Sequence, residues 1–311
     1  MADNDYIYAV SRVRYREKLC LDKAFLSSLL AAKSYDEAIK MLADKGFEGN
    51  DSDEICKNAE NGLEAFMAEI TDKKDMAVIF AESDFHNLKA SVRSAVFPDA
   101  GDMFLPDGVY SAKEIDRAVK EEEFDSLPEC MRAPAKDALK RLRETGDGQL
   151  CDIIIDRAMA DYMLSFKEGF FGYFAAHTAT VYNLKTALRG SLMKKKSAFY
   201  DEALSDTPFI DKKKLKAAAL SGEVGEYLKN TDYAKCSEAL KTGFASFERA
   251  CDDILMEKIK SYKREFFGIE PIAAYYLGKQ NEIKTLRVIL TAKKYGVDDE
   301  YLKERLRQSY V

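Results

Sequence analysis

Basic residues in pairs are the side chains of this chain whose type and spacing best suit a chemical role. In two of the three pairs the members are four residues apart, so both project from one face of a helix. Two permanent cations on one face can hold a carboxylate or a phosphate group. The pairs are Lys89 with Arg93, Lys185 with Arg189, and Lys284 with Arg287. We therefore predict that they bind an acidic partner, provided that the fold directs all three pairs into a shared cavity.

The same pairs allow a second interpretation. Each lies beside a stripe of apolar residues rather than opposite it. At such positions long basic side chains either extend toward solvent or pair with carboxylates of a neighbouring helix. In that case the pairs hold helices together and bind no partner. The sequence leaves both interpretations open.

The pairs belong to a longer pattern that occurs three times. Each lysine is preceded by an asparagine or glutamate two positions earlier, and by a cysteine 33 or 34 positions earlier. The lysines are 96 and 99 residues apart, and the cysteines are Cys56, Cys151 and Cys251. Two markers that keep one offset predict a triplicated chain, with helical units at 1–103, 104–206 and 207–311. A triplicated chain tends to form a ring, cone or arc that holds a partner.

Composition and periodicity predict helices throughout. The chain has 6 prolines and 16 glycines, and 47% of its residues are hydrophobic. Near the end of each unit, apolar residues recur at helical spacing. These stripes are Phe85, Leu88, Val92 and Val96, then Val181, Leu184, Leu188 and Leu192, then Ile283, Leu286 and Leu290. Ser111 fits a capping box and Pro271 fits the first turn of a helix. The predicted fold class is all-α, with each unit ending in one long helix.

Most classes of activity lack their signature in this sequence. It contains no P-loop, no HExxH or GxSxG sequence and no glycine-rich dinucleotide fingerprint. We therefore expect a protein that is not an enzyme and takes no cofactor or metal. A helical enzyme that uses Asp84 and His86 is the catalytic alternative. The net charge of −6 argues against nucleic acid, and the uncharged stretch at residues 169–184 is too short to span a membrane.

Cysteines and lysine runs are the last candidates. The six cysteines form no CxxC sequence and the chain starts with polar, acidic residues, so we predict free, mostly buried thiols in a reducing, cytosolic compartment. Two lysine runs, Lys194–Lys196 and Lys212–Lys214, flank the second unit boundary. Solvated loop charge explains such runs, and so does contact with an acidic partner or a lipid surface.

Several passages of the sequence resemble a known family. They are the opening Tyr6 to Arg14 with Tyr8, the segment Asp84 to Lys89 with Asn87, the segment Tyr182 to Arg189 with Asn183, and a tail with Glu270, Pro271, Tyr276, Glu304, Arg305, Tyr310 and Val311. The family is that of the C subunits of V/A-type ATPases, whose eukaryotic counterpart is the d subunit. The resemblance covers the whole chain and includes the triplication.

This resemblance implies a mechanical role. It predicts a funnel of three helical units about a pseudo-threefold axis, on the cytoplasmic face of the membrane and peripheral to it. The funnel would join central-stalk subunits D and F to the membrane proteolipid ring, and so couple ATP turnover to proton or sodium transport. The membrane stator is a further implied neighbour, and the isolated chain would be a monomer without an active site. A free-standing helical adaptor is the alternative function.

Overall fold

The computed structural model describes residues 6–98, 104–297, 302 and 306–311. Within these residues the chain forms fifteen α-helices and no β-strand, which confirms the predicted all-α class. None of the described helices combines the length and the apolar character needed to cross a bilayer. Glu304 and Arg305 of the tail, and residue 103 at the first predicted unit boundary, lie outside the described residues.

The helices group into two compact units. The first unit combines residues 1–75 with 235–311, and the second consists of residues 76–234. The first contains α1 (Ile7–Glu17), α2 (Lys23–Leu30), α3 (Tyr35–Asp44), α4 (Ser52–Ile70), α13 (Ala234–Thr242), α14 (Phe244–Ser261) and α15 (Glu270–Tyr295). The second contains α5 (Ala77–Val96), α6 (Ala112–Lys120), α7 (Glu129–Thr145), α8 (Gly148–Leu164), α9 (Gly169–Leu192), α10 (Ser197–Ala203), α11 (Lys212–Ser221) and α12 (Val224–Leu228).

Compact units and sequence copies are different divisions of the chain. The units group helices by packing, whereas the copies are defined by markers in the sequence. The three predicted units with ends at 103 and 206 therefore stay a prediction. The long helices that carry the basic pairs are α5, α9 and α15, with 20, 24 and 26 residues. The prediction that each unit ends in its long helix is wrong for residues 104–206, because α10 follows α9 there.

The first unit is built on α15, which packs against α1, α3, α4 and α14. Its predicted stripe of Ile283, Leu286 and Leu290 is buried, and the last two residues pack in one core cluster with Leu42 and Ile55. Apolar residues at helical spacing give α15 one continuous apolar face, which is why it can act as the centre of this unit. Pro271 stands in the first turn of α15, as predicted.

The second unit is built on α5, which packs against α6, α7, α8 and α9. Phe85, Leu88 and Val92 of its predicted stripe are buried. The prediction for the stripe of α9 is wrong at one position, because Leu192 is 82% exposed. Leu192 is the last residue of α9. Periodicity marks the apolar face of a helix but does not say where its packing partners end.

Side-chain caps set several helix starts. Asp22, Ser34, Asp51 and Asp147 accept backbone N–H groups in the first turns of α2, α3, α4 and α8. The predicted capping box at Ser111 is wrong in its detail. Helix α6 does begin directly after this residue, but the Ser111 side chain makes no capping hydrogen bond.

Candidate functional site

The first basic pair joins two helices of the second unit. Lys89 on α5 forms an ion pair with Asp156 on α8. Arg93 contacts Asp152 one turn away, at 2.5 Å from nitrogen to oxygen. Both the cations and the carboxylates are four residues apart, so the two bonds lie in parallel across the helix contact. This geometry matches the interpretation in which a pair holds helices together.

Asp156 also receives a hydrogen bond from a third helix. The hydroxyl of Tyr182 on α9 donates to this carboxylate. Burial raises the pKa of Tyr182, and the charge of Asp156 raises it further, so the phenol keeps its proton. One carboxylate on α8 thus fixes both α5 and α9.

The third basic pair divides its roles. Arg287 on α15 pairs with Glu60 on α4 at 2.9 Å, and it also reaches the thiol of Cys56. Lys284 is exposed, at the edge of a cleft of about 90 Å³ that Asn281 and Met256 also line. Arg287 therefore braces two helices of the first unit, whereas Lys284 faces solvent.

The second basic pair lies on α9. Lys185 is half-buried and Arg189 is exposed. Each interacts with a neighbouring group. The use of all six basic residues as one cavity lining stays a prediction.

Two of the three cysteines that keep this offset interact with a basic residue from another predicted copy. Arg287 of the third copy reaches Cys56 of the first, and the charge of Arg93 of the first copy acts on Cys151 of the second. Burial nevertheless dominates at both thiols, and it raises the pKa of Cys151 to about 11. A buried, protonated thiol is a packing group rather than a nucleophile.

The asparagine two positions before the lysine has a structural role that sequence reasoning missed. Asn87 accepts from the backbone N–H of Leu105 at 2.8 Å and donates to the carbonyl of the same residue at 2.9 Å. Asn183 makes the same two bonds with Ser205, at 3.0 and 2.7 Å. Each amide therefore pins a connecting segment further along the chain, Leu105 after α5 and Ser205 after α10. Both asparagines stand directly before a residue of an apolar stripe, Leu88 or Leu184, and this position was the available signal.

The third copy has a glutamate at the corresponding position. A carboxylate oxygen of Glu282 accepts from the backbone N–H of Leu21 at 2.7 Å, while Lys279 pairs with the same carboxylate. Leu21 precedes α2, so this contact also pins a connecting segment. In each of the three marked segments, the side chain two positions before the lysine thus bonds a connecting segment, with two bonds from each asparagine and one from the glutamate.

The two family-signature residues of α1 lie in different environments. Tyr8 is 74% exposed, and the guanidinium of Arg12 lies over its ring. Arg14 pairs with Glu17 at 2.7 Å and donates to the carbonyl oxygen of Tyr262 at 2.9 Å. Arg14 therefore ties α1 to the segment that follows α14.

The signature residues of α15 are structural as well. Glu270 and Pro271 form its first turn. Tyr276 is buried, donates to Glu64 at 3.2 Å and accepts from the Gln280 amide at 2.6 Å. These contacts keep α4 and one face of α15 together.

The two residues of the catalytic alternative face different surroundings. Asp84 is buried and accepts the backbone N–H of Tyr110 at 3.1 Å, whereas His86 is exposed. Positions two apart on a helix do not share a face, which explains the separation. In the part of the chain that the structure describes, no three His, Cys, Asp or Glu residues are grouped as a metal would need.

Fold and contacts together define a helical scaffold whose motif residues fasten long helices to their neighbours. The family model described as ATP synthase (C/AC39) subunit matches residues 9–305, and the chain belongs to this family. It is therefore a non-catalytic component of an ion-transporting V/A-type ATPase complex.

Two curated relatives align with nearly the whole chain. The C subunit of the V-type sodium ATPase of Enterococcus hirae is 26% identical over 300 residues, which cover 92% of this chain and 89% of the relative. The C subunit of the A-type ATP synthase of Methanocaldococcus jannaschii is 23% identical over 349 residues, covering 97% and 86% respectively.

Proposed function

We propose that this chain is the socket of the central rotor, which joins the stalk subunits D and F to the membrane proteolipid ring. The observation that carries the proposal is the bracing of the long helices in a member of this family. Two parallel ion pairs fix α5 to α8, and Arg287 with Glu60 fixes α15 to α4. A part that transmits torque must resist local opening, and packed, cross-linked helices have that property.

The bracing narrows the choice of residues for stalk binding. Lys89, Arg93 and Arg287 already have carboxylate partners inside their own units. Lys284 is exposed, so it is the strongest candidate for an acidic surface on the stalk. Lys185 and Arg189 each interact with a neighbouring group, so they stay candidates that rank behind Lys284.

The proposal also includes the arrangement of the chain within the complex. The three sequence copies form a funnel about a pseudo-threefold axis, at the cytoplasmic face of the membrane and peripheral to it. The membrane stator is a further neighbour. The isolated chain is a monomer, because its partners are different proteins of the complex. This role is the same for a proton and a sodium complex, since coupling ions bind in the ring.

Titration calorimetry against the cognate D–F complex tests the proposal. We expect saturable one-to-one binding that weakens as salt rises, because exposed charges are screened. Lys284→Glu should weaken binding about tenfold or more, since it places like charges in contact. Lys136→Glu, an exposed lysine on α7, is the matched control and should leave the affinity unchanged.

Three results would change the proposal. Absence of binding at every salt concentration would favour the free-standing scaffold. A stable homotrimer in light scattering would contradict the monomer. Equal binding by Lys284→Glu and the unchanged chain would remove Lys284 from the interface and leave the socket to other residues.

A further inference from the structure

The turn between α9 and α10 exposes two large apolar side chains beside three lysines. Leu192 is 82% exposed and Met193 is 67% exposed, and Lys194–Lys196 follow directly. Lys194 and Lys196 are exposed, whereas the amine of Lys195 donates to Gln149 at 2.6 Å. Exposed apolar side chains that adjoin one another commonly mark an interaction surface.

The backbone of this turn holds a lysine where glycine is favoured. Helix α9 ends with the N–H of Lys195 donating to the carbonyl of Gly190 at 2.9 Å, and Lys194 has a φ of +52°. Helix α15 ends with the same bond, from Val297 to Ala292, but its left-handed residue is Gly296. A side chain is disfavoured at such a φ. The α9 turn therefore keeps a lysine at a conformational cost, as the turn after α6 keeps Glu122 at a φ of +58°.

The second lysine run lies beside the carboxylate of Asp211, which caps α11 and attracts these cations. Lys212–Lys214 form the first turn of α11, where the helix dipole repels cations. Lys216 pairs with Asp201 on α10 at 2.5 Å, so α11 is tied to α10. Helix α10 has seven residues, about 10 Å, and starts directly after Lys196. Both runs thus belong to one corner formed by α9, α10 and α11.

We propose that this corner docks on a phospholipid surface that carries negative charge. Leu192 and Met193 lie at the end of α9, and their high exposure shows that no other part of the described chain covers them. Such side chains suit a fluid surface that yields around them, and lysines beside them attract anionic headgroups. The contact is separate from the socket role, because it needs no other protein of the complex.

Vesicle sedimentation of the full chain tests the docking surface. We expect binding to phosphatidylcholine vesicles that contain about one third phosphatidylglycerol, and little binding to phosphatidylcholine alone. Replacing Lys194, Lys195 and Lys196 by Gln should weaken binding about 100-fold, at about fivefold for each charge. The Leu192→Ser, Met193→Ser double variant should also lose most of the binding. The matched charge control replaces Lys113, Lys136 and Lys140 of the same unit by Gln and should bind as the unchanged chain does.

Lys194→Gly separates docking from folding, because the two effects have opposite signs. It should raise the melting temperature by relieving the left-handed lysine, yet weaken vesicle binding about fivefold. Equal loss in the charge control, binding that ignores lipid charge, or Lys194→Gly binding at full strength would overturn the proposal. Absence of vesicle binding would also overturn the proposal. If the lysine variants then lost affinity for the D–F complex, the corner would bind an acidic protein instead of a lipid surface.

Discussion

Asn183 shows how one side chain can hold a connecting segment. Its amide has both a donor and an acceptor, so it satisfies the N–H and the C=O of Ser205 together without bringing a charge into the interior. Asn87 does the same for Leu105. Glu282 only accepts, so it takes one N–H, and its buried charge needs Lys279 nearby.

Replacing Asn183 with Ala should lower the free energy of unfolding by about 2–4 kcal/mol. Ser205 is buried, so both of its backbone groups would lose their partner without gaining water. Urea unfolding measures the change, and Asn230→Ala, at an exposed asparagine, should stay within about 0.5 kcal/mol. Equal effects of the two variants would show that the clamp contributes nothing.

Raised thiol pKa values predict a loss of stability in alkali. Burial raises the pKa of Cys151 from 9.0 to about 11, and that of Cys20 to about 12. Between pH 9 and these values the folded state holds protons that the unfolded state has released, so the free energy of unfolding falls as pH rises.

The expected loss is about 1 kcal/mol for Cys151 by about pH 10. Urea unfolding at about pH 8 and pH 10 measures it for the unchanged chain and for Cys151→Ala. The variant should lose less stability than the unchanged chain over this interval. An identical pH dependence in both proteins would refute the assignment to this thiol.

Two of the long helices have glycines where another group approaches closely. A Cβ at Gly278 of α15 would lie 2.4 Å from the ring of Tyr310, and one at Gly190 of α9 would lie 2.9 Å from the ring of Tyr200. Both tyrosines are buried. Glycine weakens the helix at these positions, but it leaves the space that the buried aromatic ring occupies.

Gly278→Ala should lower the free energy of unfolding by about 2–3 kcal/mol, because it displaces the buried Tyr310. In a double-mutant cycle it should add little to Tyr310→Ala, since both changes remove one contact. Gly62 of α4 is the control, because nothing lies within 4 Å of its Cβ position. Gly62→Ala should raise stability by about 1 kcal/mol, and a loss there comparable to that of Gly278→Ala would refute the steric explanation.

At the scale of the whole molecule, the first compact unit is assembled from both ends of the chain. The bond from Leu21 to Glu282 spans 261 residues, and the pair of Arg287 with Glu60 spans 227. The core beside these contacts also draws on both ends, because Leu42 and Ile55 share a cluster with Leu286. Neither residues 1–75 nor residues 235–311 form this core without the other segment.

Separate expression of chain segments tests this assembly. Residues 76–234 should show a cooperative thermal transition in circular dichroism, because they contain their own core. Residues 1–75 should show none, and mixing them with residues 235–311 should restore helix content. Cooperative unfolding of residues 1–75 alone would contradict the prediction.

The candidate site was only partly readable from sequence. The spacing of Lys89 and Arg93 correctly placed both on one helix face, because helical geometry is local. The carboxylates that receive them, Asp156 and Asp152, stand 67 and 59 residues along the chain, and no local pattern pairs them. Leu192 is the reverse case. Its helix was predicted correctly, but the side chain was assigned to the apolar stripe and is exposed.

The sequence by itself determined the all-α class, the long helices that carry the basic pairs, the apolar stripes that lead into the core and the family. The class, the helices and the stripes follow from periodicity, capping and composition, which act over a few turns of chain. The family follows from motifs that match along the whole length of the chain. Tertiary structure alone decided that the asparagines clamp connecting segments, that Arg287 meets Cys56, and that the end of α9 is left exposed. Those outcomes depend on which helix surfaces pack together, and packing selects partners by shape and charge across the fold, at any distance along the chain.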